Sequence, residues 1–279
     1  MTYNDIKSSL DNSELRYRSI LTIPRDVLFG LEIELESVNP SLVSKMVISH
    51  FGNSFKVKED RSLDKDSSAE IATPPFYNSR DTWILLDKLG KLLSKLKPSF
   101  EHCSFQVNYC GSLLPTDKDK LNFLKLYAVY EDILYRFSCG EDNTIRDAIN
   151  EYAYPIILNI KAFREMKDYV LEPYTNQKRY GICFKDKPKD LIEFRTPNGT
   201  INPILWQNYI TTFYSLIMYS LSPKCNEKEL DEYIDRYNKT YLIENYMLLK
   251  EEKAISLSKK LFSKSDDRLH FLHQYYRSN

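Results

Sequence analysis

Leu28-Phe29-Gly30-Leu31-Glu32-Ile33-Glu34-Leu35-Glu36 is the stretch whose reading decides the fold. Apolar and acidic residues alternate strictly from Leu31 to Glu36, the period of a β-strand with one face on a core. Leu31, Ile33 and Leu35 then share one face, and Glu32, Glu34 and Glu36 the other. Three carboxylates on one face with no Lys or Arg among them repel one another. Such a row persists if water solvates it fully or if a cation sits against it. The second case is an oxygen-rich site for a hard metal such as Mg²⁺.

Outward from this strand, residues 41–51 place Leu42, Met46, Val47 and Phe51 at helical spacing after Pro40. Residues 54–59 alternate again and run into Asp60 and Ser62, and Ser68 to Thr73 reads as a further strand ended by Pro74-Pro75. Residues 79–97 form an amphipathic helix with Trp83, Leu86, Leu89, Leu93 and Leu96 inward. Residues 103–109 alternate. Thr116 to Asp119 resembles a capping box ahead of a long helix carrying Phe123, Leu126, Tyr127, Tyr130, Ile133, Leu134 and Phe137 on one stripe. Residues 142–154 give no clear period. Residues 179–184 and 190–195 read as a hairpin. Asn202-Pro203 starts a helix that runs to about Ser222 and stops at Pro223. Residues 226–276 are charged and helical. The pattern predicts an α+β fold: a curved, mainly antiparallel sheet with a polar, acid-lined face, helices on the other face, and a C-terminal helical appendage. The expected division is a lead-in over 1–25, a catalytic domain over 26–223 and a helical segment over 224–279.

Five extended segments place polar groups two residues apart, on one sheet face. They are Glu32/Glu34/Glu36, Asp60/Ser62, Ser68/Glu70, Gln106/Asn108 and Glu193/Arg195. If these strands share a sheet, its polar face is an acid-lined trough with one fixed Arg, suited to Mg²⁺ and phosphate together. Each alternation alone is also what an antiparallel sheet with one wet face shows. The co-occurrence, and a first strand whose polar face is all acid, favours a site.

Composition narrows the classes. The chain has 279 residues with 39 basic and 39 acidic side chains, so its net charge of zero leaves no broad electrostatic footprint for nucleic acid. No apolar run reaches about 18 residues, so no membrane span is expected. Met1 to Arg18 is polar and lacks the apolar core of a signal peptide. Cys103, Cys110, Cys139, Cys183 and Cys225 are odd in number and form no C-x-x-C pair, as expected of reduced thiols in a cytoplasmic protein. The 21 Tyr against 7 Gly, with abundant Lys, Asn and Ile, fit an AT-rich bacterial or phage genome. No Gly-rich phosphate loop is present, so a bound ATP would be held through metal and side chains.

In order, Phe29-Gly30-x-Glu32-x-Glu34, Asp60-x-Ser62-Leu63 leading to Glu70-Ile71-x-x-Pro74-Pro75, Gln106-Val107-Asn108, Arg146-x-x-x-Asn150-x-Tyr152-x-x-Pro155 and Glu193-Phe194-Arg195-x-Pro197-x-Gly199-Thr200 resemble the motifs of the amidoligases. These are carboxylate–amine ligases that share a catalytic fold with glutamine synthetase and gamma-glutamylcysteine synthetase. The resemblance covers about residues 27–220. It implies ATP- and Mg²⁺-dependent (or Mn²⁺-dependent) amide formation through an acyl phosphate, with small-molecule or peptide carboxylate and amine substrates. It further implies Glu32, Glu34, Glu70 and Glu193 as metal ligands and Arg195 and Arg146 as phosphate-facing catalytic residues. Asp60, Ser62, Gln106, Asn108 and Arg179 would contact the cofactor. One departure stands out: the family usually has His-Val-His where this chain has Gln106-Val107-Asn108. An amide carbonyl still serves Mg²⁺ but cannot act as a base, so a non-catalytic binding module on the same fold is the alternative. A metal-dependent nuclease or phosphatase using the same carboxylates is a third.

Other residues carry less. His102 reads as a loop or surface residue. His270 and His273 stand three apart on a helix but lack acidic or Cys partners at matching spacing. Asn198-Gly199 reads as a turn that sets strand–helix geometry. Tyr233, Tyr237, Tyr241 and Tyr246 fit a core or an oligomer contact. The segment 224–279 is open to two readings, a cap over the site or a contact between copies of the chain.

Overall fold

The computed structural model describes residues 15–60, 62–63, 67–142, 144–147, 149–165, 171–186, 189–237 and 244–277. Within the expected lead-in, residues 1–14 lie outside the described residues, as does Tyr241. The strands are β1 (Leu28–Glu36), β2 (Lys56–Glu59), β3 (Ser68–Ala72), β4 (Phe76–Tyr77), β5 (Phe105–Cys110), β6 (Ile182–Lys185) and β7 (Leu191–Phe194). They form one open antiparallel sheet in the order β2-β3-β1-β5-β7-β6, with β4 paired to the start of β1. The fold is α+β, as the alternation predicted.

The alternating apolar residues are the reason the sheet has a buried face. Phe29, Leu31, Ile33, Leu35, Ile71, Phe105, Val107 and Phe194 are all at most 1% exposed. Against them lie α2 (Arg80–Ser94), α3 (Asp117–Ser138) and α6 (Pro203–Ser220), while α1 (Pro40–Phe51) packs beside β2. Aromatic rings make the contact: Phe29 stacks on Trp83 at 5.5 Å, Phe105 on Trp206 at 5.7 Å and Phe194 on Phe213 at 4.2 Å. Offset stacks of this kind add about 0.5–1.5 kcal/mol to the area they bury. Helix ends follow their sequence signals. Thr116 and Asp119 make both halves of the capping box of α3. The Asn202 side chain accepts from Ile204 N with Pro203 in the first turn of α6.

The stretch without a clear period carries one short helix, α4 (Ile149–Tyr152), and α5 (Ile157–Glu165) follows it. It is held by pairing rather than propensity: Tyr154 N donates to Arg179 O at 2.8 Å, and Gly181 N donates to Tyr154 O at 3.1 Å.

The C-terminal residues form α7 (Glu227–Arg236), α8 (Glu244–Met247), α9 (Glu251–Leu261) and α10 (Ser265–Arg277). They pack on α3 and α6, and one apolar core runs continuously from Leu21 to Tyr275. Polar ties close this layer. Arg18 Nη1 meets Asp267 Oδ1 at 2.8 Å, and buried Arg136 donates to the carbonyls of Met247 and Tyr275. Glu131 on α3 accepts from Tyr246 Oη at 2.7 Å and from Ile156 N and Ile157 N at 2.7 and 3.2 Å. His270 is a buried packing residue on α10, and burial pulls its imidazole down to about 4. Among the described residues no helix is long and apolar enough to cross a membrane.

Gly181 lies where α3, the strand pair β6–β7 and the 144–154 segment meet. A Cβ there would stand 2.7 Å from Thr196 Cγ2 and from the Tyr127 and Tyr135 hydroxyls. Gly181→Ala is expected to lower stability by about 1–3 kcal/mol through overpacking. Denaturant melts check this, and an unchanged midpoint would contradict the tight packing described.

Candidate functional site

Antiparallel register assembles the polar face from strands far apart in sequence. Glu34 stands opposite Glu70, Glu32 opposite Gln106, Gly30 opposite Asn108, and Asn108 opposite Glu193. Because side chains alternate across the pleat, Glu32, Glu34, Glu70, Gln106, Asn108 and Glu193 all project from the same face, and Arg195 follows on it just past β7. A cleft of about 1410 Å³ opens over this face, lined by Glu34, Asp60, Ser62, Glu70, Gln106, Arg146 and Arg195 among others.

The centre is a chain of alternating charge. Glu34 is buried; its Oε2 accepts from Ser104 N at 2.5 Å and its Oε1 from Gln106 Nε2 at 3.2 Å. Gln106 Oε1 accepts from Arg195 Nη1 at 2.9 Å, and the same Nη1 donates to Glu193 Oε1 at 2.6 Å. Lys185 Nζ stands 3.5 Å from Glu193 on its other side. Arg195 Nε donates to Tyr152 O at 3.0 Å, which fixes the plane of the guanidinium. Glu70 pairs with Lys58 at 3.1 Å. Burial raises the Glu34 carboxyl above its usual range, against the pull of Arg146.

Arg146 enters from the 144–154 segment. Asn198 holds that segment: its Nδ2 donates to Thr144 O at 2.9 Å and its Oδ1 accepts from Arg146 N at 3.3 Å. Arg146 is 5% exposed, donates from Nη2 to Arg195 O at 2.9 Å, and leaves Nε without a hydrogen-bond partner. Burial lowers its basicity, and Glu34 counteracts this. A buried guanidinium with an unused N–H on a cleft is a donor for an incoming carboxylate or phosphate.

Glu32 stands near two further acids, Glu193 and Glu70. Burial, then Glu193 and Glu70, push its carboxyl up from 4.5 to about 7. Asn108 Nδ2 donates to Glu32 Oε1 at 3.2 Å, while the buried Asn108 Oδ1 has no partner. Glu32, Glu70, Glu193 and the Asn108 carbonyl are hard oxygen donors on one stretch of the face, so their chemistry fits Mg²⁺ or Mn²⁺. In the arrangement described, Glu70 and Glu193 are turned to Lys58 and to Arg195 and Lys185. Among the described residues no three His, Cys, Asp or Glu side chains are grouped to hold one ion. Uptake of a cation therefore requires these ion pairs to open.

Three sequence expectations need correction. The Gln106 carbonyl, expected to face the cofactor, is taken by Arg195, so Gln106 is an internal bridge. Arg179 is exposed and does not line the cleft; its neighbour Lys178 does, and its charge reaches Glu32. The C-terminal segment, one reading of which was a cap, contributes none of the described lining residues. Asp60 and Ser62 do line the cleft, with Asp60 Oδ1 accepting from Ser62 N and Oγ at 2.9 and 2.6 Å. Sequence reasoning passed over Ser104, two residues before Gln106 and so on its face, whereas it read His102 as the exposed residue that it is. The latter sits at the rim with Nδ1 3.0 Å from Glu36 Oε1. Asn198 is more than a turn residue, since it docks Arg146. Gly199 is required because a Cβ would come within 2.5 Å of Cys103 Cβ.

Fold and site together define an α+β protein whose open antiparallel sheet carries an acid-rich cleft with buried arginines. No protein-family model matches the chain, and no curated protein does.

The Glu32 carboxyl gives a pH signature. A group raised in the folded state favours folding while protonated in both states, below pH 4.5, and that contribution is lost as pH rises through about 7. Glu32→Gln is expected to melt above wild type beyond pH 7, with the two converging below pH 4.5. Parallel melting curves across that range would refute the raised Glu32 carboxyl.

Proposed function

We propose that the chain is an ATP- and Mg²⁺-dependent carboxylate–amine ligase of the amidoligase type. The observation that supports this best is the convergence on one sheet face of Glu32, Glu34, Glu70, Glu193 and Arg195, from three strands, with Arg146 brought against Arg195 by one irregular segment. Glu32, Glu70 and Glu193 of the expected ligands, with the Asn108 carbonyl, would hold the metal; Glu34, expected among them, is engaged by Ser104 N and Gln106 Nε2. When bound, the metal supplies charge neutralisation on the phosphate oxygens of ATP.

The protein's own part is positioning and charge. Arg146 offers its free Nε to the substrate carboxylate or the transferring phosphoryl group. Arg195, clamped by Glu193, Gln106 and the Tyr152 carbonyl, holds a fixed positive charge beside it. Lys178 closes the mouth of the cleft with a further cation. A carboxylate oxygen bonds to the γ-phosphorus while the bond to the bridging oxygen breaks and its electron pair leaves with ADP. The nitrogen of the neutral amine then bonds to the carbonyl carbon, the carbon–oxygen bond to phosphate breaks, and phosphate departs with the proton that the nitrogen sheds. Five free cysteines accord with a reducing cytoplasm, where ATP is at hand.

A second reading, a binding module without turnover, is favoured by one feature. Glu34 and Glu193 are already satisfied by protein partners, and Gln106 replaces a base with a neutral bridge. Calorimetry with ATP and Mg²⁺, alongside phosphate-release assays with paired carboxylates and amines, separates the two. Binding without release under any pairing supports the module.

For the ligase, Glu32→Ala and Glu193→Ala are each expected to abolish phosphate release with unchanged near-ultraviolet circular dichroism. Full activity in both would exclude the assignment. Arg146→Lys is expected to lower kcat by about 10²–10³, the range for loss of one preorganised donor, and a KM effect alone would contradict its role.

A further inference from the structure

Past Glu34 the cleft changes character. At the end of β1, Glu36 pairs with Ser68 on one side and bridges to Ser99 on the other, and Ser68 Oγ donates to Asp60 O at 3.1 Å. This outermost row, with Glu59 and Glu101 at its rim and the Ser41 and Ser44 hydroxyls at the start of α1, lines one end of the cleft. Its composition is acid and hydroxyl. Among the described residues lining this end, Lys58 is the one Lys or Arg, and Glu70 already holds it. His102 is on Glu36. Arg146 and Arg195 belong to the β7 side.

A cluster of acids by itself is a solvated rim, but Asp60 is not at the rim. It is 4% exposed; Oδ1 is used by Ser62, and Oδ2 is buried with no hydrogen-bond partner. Its charge reaches Glu34. A buried carboxylate oxygen without a partner costs free energy unless a donor arrives, and a donor that is also a cation suits a face with an excess of anions. An α-amino acid would bring its own carboxylate to this end, and that carboxylate would meet Glu36, Glu59 and Asp60 with no unpaired described cation to receive it.

We infer that this end of the cleft takes the amine co-substrate as an alkylammonium with no neighbouring carboxylate, a diamine or polyamine, with Asp60 Oδ2 accepting from the ammonium. The inference rests on the ligase reading for the fate of the amine but not for its binding. With a second ammonium on Glu36 or the Glu59 and Glu101 rim, the reactive end lies toward Glu34 and Arg146, where the acyl group would be presented.

Isothermal titration of the full chain with putrescine, spermidine, glycine and glutamate tests it, without nucleotide and again with Mg²⁺ and a non-hydrolysable ATP analogue. Putrescine or spermidine is expected to bind and the amino acids not. Asp60→Asn is expected to weaken the diamine by about tenfold, the loss of one charge-assisted hydrogen bond. Should Asp60→Asn fail to fold, the Glu59→Gln/Glu101→Gln pair, exposed at the rim, is expected to weaken spermidine more than putrescine. Preferential binding of glycine or glutamate, no diamine binding in either condition, or diamine affinity unchanged in the folded variants would overturn it. Diamine binding without ATP turnover removes the ligase reading alone. Phosphate release driven by an amino acid and not by a diamine removes this inference alone.

Discussion

A neutral amide between two buried charges organises the site. Gln106 donates to Glu34 and accepts from Arg195, so one side chain joins an anion on β1 to a cation beyond β7 across the intervening strand. Removing the amide would leave Glu34 Oε1 buried without this donor, at a cost of about 1–3 kcal/mol, while Arg195 keeps Glu193. The remaining contacts extend the same logic outward: Ser104 N on Glu34, Glu193 and the Tyr152 carbonyl on Arg195, Arg146 behind both. The polar face of this sheet is a packed electrostatic network, and the cleft is where the network runs out of internal partners. Glu32, Asp60 Oδ2, Asn108 Oδ1 and Arg146 Nε are its loose ends.

Most of the fold was legible because one rule governs it. Alternation at Leu31–Glu36, Phe105–Tyr109 and Ile192–Arg195 reports which face is buried, and register follows from matching the buried faces. The capping box at Thr116 and the Asn202-Pro203 start announced α3 and α6 for equally local reasons. What stayed hidden was non-local. Residues 142–154 have no period because their order comes from pairing with Arg179 and Gly181 and from the Asn198 side chain. That segment nonetheless delivers Arg146.

The site was legible as a set of residues and only partly as a set of roles. Parity placed Glu32, Glu34, Glu70, Glu193 and Arg195 on one face. It could not say that Gln106 would spend its carbonyl on Arg195, nor that Arg179 would point away while Lys178 faced the cleft, since a turn has no period to count. Gln106 and Asn108 divide the work of the face: one amide braces the network and the other leaves a carbonyl oxygen unused beside Glu32.

On the proposed ligase reading, this acid face receives a divalent cation with a polyphosphate. Titration of the Mn²⁺ complex of a non-hydrolysable ATP analogue into the protein tests it most directly. The account predicts saturable binding that disappears with a chelator and in Glu32→Gln. Absence of saturable binding, or equal affinity in that variant, would contradict it.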